Sequence, residues 1–176
     1  MDGQVRHYEL LEKLQQLVKS LDFKTQQRLP YDLLANLAST LRDSAIFTIV
    51  DDLEEIQHLT EKNLYTQRQK ILEEHKTLIK NLKKKHEDDL RTCKRHNLAI
   101  LQKEHEKQLI ELEKRLKTEL TQFDNKILTQ IDQKVVVQQA TLKSAGVPGF
   151  FVTNDDQEIK LQMTLLHLIK LVRTSE

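Results

Sequence analysis

The apolar positions fall at helical spacing almost throughout the chain. Leu10, Leu14, Leu17 and Leu21 mark one short amphipathic helix within 5–21. Leu33, Leu34, Leu37, Ala38 and Leu41 mark a second, placed after Pro30, a residue suited to a first helical turn. Asp22 to Leu29, polar in character, separates them and is expected as a loop or frayed end. A third helix is expected from Asp43 or Ser44, either of which can cap free backbone N–H groups, and carries Ile46, Ile49, Val50, Leu53 and Ile56. The doublets Leu64–Tyr65, Ile71–Leu72 and Leu78–Ile79 then recur every seven residues, and Leu82 follows one turn later. That spacing predicts a helix packed along another helix.

Beyond KKKHEDDLRTCKRHN the period changes. Leu98, Leu109, Leu120, Ile131 and Leu142 are eleven apart, as are Leu101, Leu112 and Phe123, and Leu116 and Ile127. Three such rows cover 13 positions over 98–142; ten of these are apolar, against eight of the other 32. An eleven-residue repeat keeps the apolar stripe nearly straight along the helix, at about 3.67 residues per turn. Glu111 with Arg115 and Glu113 with Lys117 support the solvated face. Val135–Val137 is a β-branched run that lowers helix propensity. Segments 44–94 and 97–143 would each be about 70–75 Å long. Such matched lengths suit an antiparallel helical hairpin turning near 94–97. The absence of Gly and Pro at that turn leaves a continuous rod, dimerising in trans, as the alternative.

The stretch AGVPGFFVTNDDQE, Ala145 to Glu158, breaks this regime with two of the three glycines and one of the two prolines. Gly146 as the residue after the helix end would bring Leu142 against Val147 in a Schellman cap, with Pro148 preventing continuation. Val147–Pro148–Gly149–Phe150 fits a type II turn. Asn154 or Asp155 can cap a last helix, and Asp155 with Glu158 has capping-box spacing. That helix, expected to end near Arg173, has a wide apolar arc including Ile159, Met163, Leu166 and Ile169. The arc must fold back, dimerise or bind a partner. A β-hairpin of FFVT with EIKLQMTL is the rival reading, disfavoured because no third strand exists to complete a sheet.

The pattern gives an all-α, elongated coiled-coil chain in three parts: short helices over 1–43, two long helices over 44–143 and a Gly–Pro turn with a helix over 144–176. Composition agrees: 31% of the 176 residues are charged and 38% apolar, a low share for one compact core. The net charge of +1 gives no overall pull towards nucleic acid or anionic lipid. The single cysteine, Cys93, admits no intramolecular disulfide and fits a reducing compartment. No apolar run nears the roughly 20 residues of a membrane span, and MDGQVRHYELLEK has no signal-peptide core. The expectation is a soluble intracellular protein of nucleus or cytoplasm.

Candidate chemistry is sparse. Glu55 and His58 form one ExxH unit where a di-iron bundle needs two. His86, Cys93 and His96 share a rough helical face but are too widely spaced for zinc. Lys83–Lys85 and the group Arg91, Lys94 and Arg95 are basic clusters interrupted by Glu87, Asp88 and Asp89. No aromatic residue interleaves to stack on bases, so a solvated face is favoured over nucleic-acid contact. No nucleophile–base arrangement or phosphate-binding loop is present. The expected protein has no catalytic residue, cofactor or metal.

Three stretches carry a family resemblance: RHYELLEKLQQLVKSL (6–21), IFTIVDDLEEIQHLTEKNLYTQR (46–68) and TLKSAGVPGFFVTNDDQEIKLQMTLLHLI (141–169). The chain resembles, over nearly its whole length, the family that joins the gonadal protein of flies with the DiGeorge syndrome critical region protein 6 group of vertebrates. The resemblance implies a mainly helical coiled-coil protein with roles in development and protein partnering, and vertebrate members linked to the nucleus and neural crest. It implies no enzymatic activity. Vertebrate members flank the HNL triplet with prolines; Arg95 and Ala99 stand there in this chain, which leaves the turn less enforced. The expected function is that of a non-catalytic, self-associating coiled-coil adaptor with a protein partner, and a nuclear protein held to nucleic acid is the alternative. The expected interaction residues are Leu98, Leu109, Leu112, Leu116, Leu120, Phe123, Ile127 and Ile131 of the stripe, Phe150 and Phe151 of the turn, and Ile159, Met163, Leu166 and Ile169 of the last helix.

Overall fold

The computed structural model describes residues 2–174. Its elements are α1 (Asp2–Val18), α2 (Phe23–Gln27), α3 (Tyr31–Leu41), α4 (Ala45–Thr92), a 3-10 turn (Arg95–Asn97), α5 (Leu98–Ser144) and α6 (Asp156–Thr174). No strand occurs among the described residues, so the chain is all-α and EIKLQMTL lies inside α6.

Local chemistry accounts for most boundaries. The polar segment expected as a loop instead forms α2. Asp22 nucleates it by accepting from the Thr25 N–H at 3.2 Å and from the Thr25 hydroxyl at 2.6 Å. Pro30 sits one residue earlier than expected, as the N-cap of α3. The chain turns by 93° between α3 and α4, where Asp43 Oδ1 accepts from the Ala45 N–H at 3.0 Å. The valine run is carried within α5. At the end of α5, Val147 N–H donates to Leu142 O at 3.1 Å and Gly146 N–H to Lys143 O at 3.0 Å. These are the two bonds of a Schellman cap, with Gly146 at φ +83°. Gly149 has φ +84°, as the third position of a type II turn requires. The expected capping box does not form. Asp155 Oδ1 caps the Gln157 N–H at 2.8 Å, but the Asp155 N–H goes to Thr153 Oγ1 at 3.1 Å. Glu158 is thereby free to pair with Arg28 at 2.6 Å.

The chain forms two compact units, 1–58 with 132–176, and 59–131. In the first, one apolar core joins Leu10, Leu11, Leu14 and Val18 of α1 to Leu34, Leu37, Ala38 and Leu41 of α3. The start of α4 adds Ile46, Phe47 and Val50, and the end of α5 adds Leu142. Val147, Phe150 and α6 residues Leu165, Leu168, Ile169 and Val172 complete it. The apolar arc of the last helix therefore folds back. Ion pairs of Lys170 with Glu54 and of Arg173 with Asp51 fasten α6 to α4 at the surface.

In the 59–131 unit, α4 and α5 pair in opposite chain directions. Arg68 meets Asp124 at 2.9 Å, His75 meets Glu119 at 3.3 Å, His86 meets Gln108 at 3.0 Å and Asp89 meets His105 at 3.5 Å. The seam of α4 differs from the expected seven-residue spacing. Most of its covered positions are eleven apart: Leu64, His75 and His86; Arg68, Ile79 and Leu90; Ile71, Leu82 and Cys93; Leu72 and Asp89 are covered outside these rows. Tyr65 and Leu78, members of the heptad doublets, are exposed. The physical reason is that α5 carries an eleven-residue stripe, and two helices lying side by side must share one period to stay in contact. Polar Arg68, His75 and His86 fill the seam positions that the apolar pattern left blank.

Candidate functional site

A groove of about 340 Å³ opens in the unit formed by 1–58 and 132–176. Val50, Glu54 and Gln57 line it from α4, and Val135, Gln138 and Gln139 from α5. Ile159, Gln162, Met163, Leu166, His167 and Lys170 line it from α6, and Phe150 from the preceding turn. On α6 these positions advance by 3 and 4 residues over three turns, so one continuous helical face walls the groove. At 1.5 Å per residue that wall is roughly 16 Å long. Val50, Val135, Phe150, Ile159, Met163 and Leu166 give the lining its apolar part, and glutamines, Glu54, His167 and Lys170 its polar part.

Two of the glutamines form a buried pair. Gln139 Nε2 donates to Thr153 O at 3.1 Å and to Gln162 Oε1 at 2.9 Å, while Gln139 Oε1 accepts from the Thr153 N–H at 3.3 Å. Gln162 Nε2 in turn donates to Gly149 O at 3.3 Å and Phe151 O at 3.1 Å. The two amides thus satisfy the backbone of an extended segment that has no strand partner, as buried polar groups require. The clamp sets the alternation of the segment: Phe150 turns inward, 5% exposed, and Phe151 turns outward, 40% exposed. Neither glutamine stood out in the sequence. Gln138, in the apolar rows at the next position, was the nearest signal.

Among the polar lining residues, Glu54 receives a hydrogen bond from Lys170, which holds its carboxylate below the usual range; His58, 3.5 Å away, adds to this. Met163 projects from α6 with 64% of its surface exposed.

The expected interaction residues thus divide by position. Phe150, Ile159, Met163 and Leu166 meet in the groove. Ile169 is fully buried in the core and Phe151 faces solvent. Leu116 is buried in the seam, and Leu109, Leu112, Leu120, Phe123 and Ile127 are half-buried along the same face of α5. Leu98, at the start of the stripe, and Ile131 are exposed. The histidines were placed less well by the sequence. His86 does not share a site with Cys93 and His96; it stacks on His105 of the other helix. His105 occupies one of the three eleven-residue rows, which was the available clue. Among the described residues no cluster of three His, Cys, Asp or Glu side chains could hold a metal ion. No single helix among them is long and apolar enough to cross a membrane. Lys83, Lys84, Lys85, Lys94 and Arg95 are exposed, and Arg91 pairs with Asp88 at 3.5 Å.

The family model described as DiGeorge syndrome critical region 6 (DGCR6) protein matches residues 1–176. The chain is similar to Protein DGCR6 of Gallus gallus, 46% identical over 173 residues that cover 98% of this chain and 86% of that protein. It is also similar to Gonadal protein gdl of Drosophila melanogaster, 38% identical over 162 residues that cover 92% of this chain and 77% of that protein. No solved structure matches the chain.

Proposed function

Because this chain belongs to the DiGeorge syndrome critical region 6 family, we propose that it is a non-catalytic, intracellular coiled-coil adaptor that binds a helical segment of a partner protein. The groove between α4, α5 and α6 carries this reading. It is walled by helical faces at 3- and 4-residue steps and lined by apolar side chains interspersed with polar ones. That combination suits the apolar stripe of one amphipathic helix, read at i, i+3, i+4 and i+7. Met163 is the side chain best placed to meet it, because it is exposed and adaptable in shape. The apolar stripe of 59–131 is covered within its own helix pair and is left out of this reading.

The test is affinity capture from cells with the wild-type chain, Met163→Glu and Ile100→Glu. Ile100 is equally exposed but lies outside the groove. The expected outcome is that Met163→Glu loses specific partners at unchanged helicity, while Ile100→Glu keeps them. Identical partner sets for all three proteins refute the groove as the docking site.

A further inference from the structure

The helix pair of 59–131 covers its seam but leaves one flank of it open. Of its apolar side chains only Leu64 and Leu116 are buried. Leu82 and Leu112 are half-buried, and Leu78 is 42% exposed. These three meet in a groove of about 610 Å³ that α4 and α5 line together. Lys85 borders it from α4, and Glu111 and Arg115 border it from α5. Two antiparallel helices cannot close such a flank by themselves, whereas a four-helix bundle does.

The side chains along the groove are complementary to themselves. A two-fold axis sets residue i of one copy against j of the other, and j against i. His75 lies opposite Glu119 and His86 opposite Gln108, so the middle of Leu78–Leu82 on α4 is level with the middle of Glu111–Arg115 on α5. About an axis crossing both points, Leu78 of one copy meets Leu82 of the other, and Glu111 meets Arg115. Glu74, one turn before Leu78 on the same face of α4, meets Lys85. The two Leu112 side chains fall beside the axis. Each charged contact pairs opposite signs and occurs twice. Among the described residues Glu74, Lys85 and Glu111 are exposed and make no ion pair. Arg115 has an exposed contact with Glu119 at 3.8 Å.

We propose that this flank is a self-association surface, on which two copies of the chain pack their Leu78–Leu82–Leu112 grooves together about a two-fold axis and so build a four-helix bundle from two helix pairs. The area suffices. Within 59–131 the two helices run side by side for about 50 Å. At about 10 Å across each helix, the flank measures roughly 1,000 Å², and a stable pair needs about 800 Å² from each partner. The turn at Arg95–Asn97 falls opposite Leu64 of the other copy, so the contact stays within 59–131. A polyanion such as nucleic acid does not match a flank on which both signs alternate.

The test is sedimentation equilibrium of the full chain over a range of concentrations, with circular dichroism as the check on folding. The wild type is expected to dimerise. Leu78→Glu should raise the dissociation constant at least about tenfold at unchanged helicity. Glu111→Arg sets like charges against each other across the axis and should do the same. Adding Arg115→Glu to Glu111→Arg reverses both signs and should restore the dimer. Met163→Glu, in the other unit, should leave the dimer intact, which keeps this surface distinct from the groove beside α6. A wild type that is monomeric throughout overturns the proposal, even if the flank captures a helix of another protein. So does a dimer that Leu78→Glu and Glu111→Arg leave unchanged, one that Met163→Glu dissolves, or a double variant no tighter than Glu111→Arg. If Leu78→Glu does not fold, the charge variants decide.

Discussion

Gly146 and Gly149 offer a controlled comparison, because they share a backbone conformation and differ in surroundings. Both have positive φ, +83° and +84°. Alanine at either position meets the left-handed penalty of about 1–2 kcal/mol, offset by about 0.4–1 kcal/mol from the lower entropy of the unfolded chain. A Cβ at Gly146 would have no heavy atom within 4 Å, so Gly146→Ala should cost little more than this remainder. A Cβ at Gly149 would lie 2.7 Å from Leu165 Cδ1. Leu165 is fully buried, so it cannot swing aside without displacing the core around it. Overpacking of this kind adds about 1–3 kcal/mol. The expected difference between the variants is therefore about 1–3 kcal/mol, or roughly 5- to 150-fold in the local opening equilibrium. Hydrogen exchange read by mass spectrometry on peptides from α6 measures it directly. Those amides should exchange faster in Gly149→Ala than in Gly146→Ala by that factor, with peptides from 59–131 unchanged. Equal exchange in the two variants would refute the close packing of the Pro148–Gly149 turn on α6.

Gln139→Leu should free the segment 149–153, since the Thr153 N–H and C=O lose their partner. At about 1–3 kcal/mol per buried group left unpaired, limited proteolysis at 150–154 should become fast, and an unchanged cleavage rate would count against the clamp. Leu116→Asp buries a charge in the seam and should lower the helicity and melting temperature of the chain; unaltered circular dichroism would show that the stripe of α5 is not packed on α4. The Arg68 hydrogen bond holds the Asp124 carboxylate below its ordinary range, and Asp124 raises Arg68 in return. The folded carboxyl thus binds its proton later than the unfolded one, so the pair contributes above about pH 4 and is lost as pH falls further. Asp124→Asn should therefore lose less stability than wild type between about pH 6 and about pH 3, measured by urea midpoint, and a parallel loss would exclude the pair as a source of acid sensitivity.

The starts of α4 and α6 and the end of α5 were legible because each is set by chemistry within a few residues. Asp43 and Asp155 accept from N–H groups two positions on, and Gly146 supplies the positive φ that closes α5. The eleven-residue stripe of α5 was legible for a similar reason: its period is written in apolar side chains, and it maps onto the half-buried face from Leu101 to Ile127. The seam of α4 was not. Arg68, His75 and His86 look like solvated polar residues until α5 brings Asp124, Glu119, Gln108 and His105 opposite them. The same holds for Asp22–Leu29, where a polar stretch forms a helix once Asp22 caps it and Arg28 finds Glu158.

The candidate site shows the division most clearly. The sequence by itself determined that the last helix is too apolar to stay uncovered and that a cap and a turn precede it. The tertiary structure decided which apolar residues remain available. Ile169 is spent on the core, Met163 is left outside, and Gln139 and Gln162 grip the turn so that Phe150 points in and Phe151 out. The physical reason is range. Caps, turns and periodicity depend on neighbours along the chain, whereas the fate of a side chain depends on which distant surface arrives to cover it or to share its hydrogen bonds.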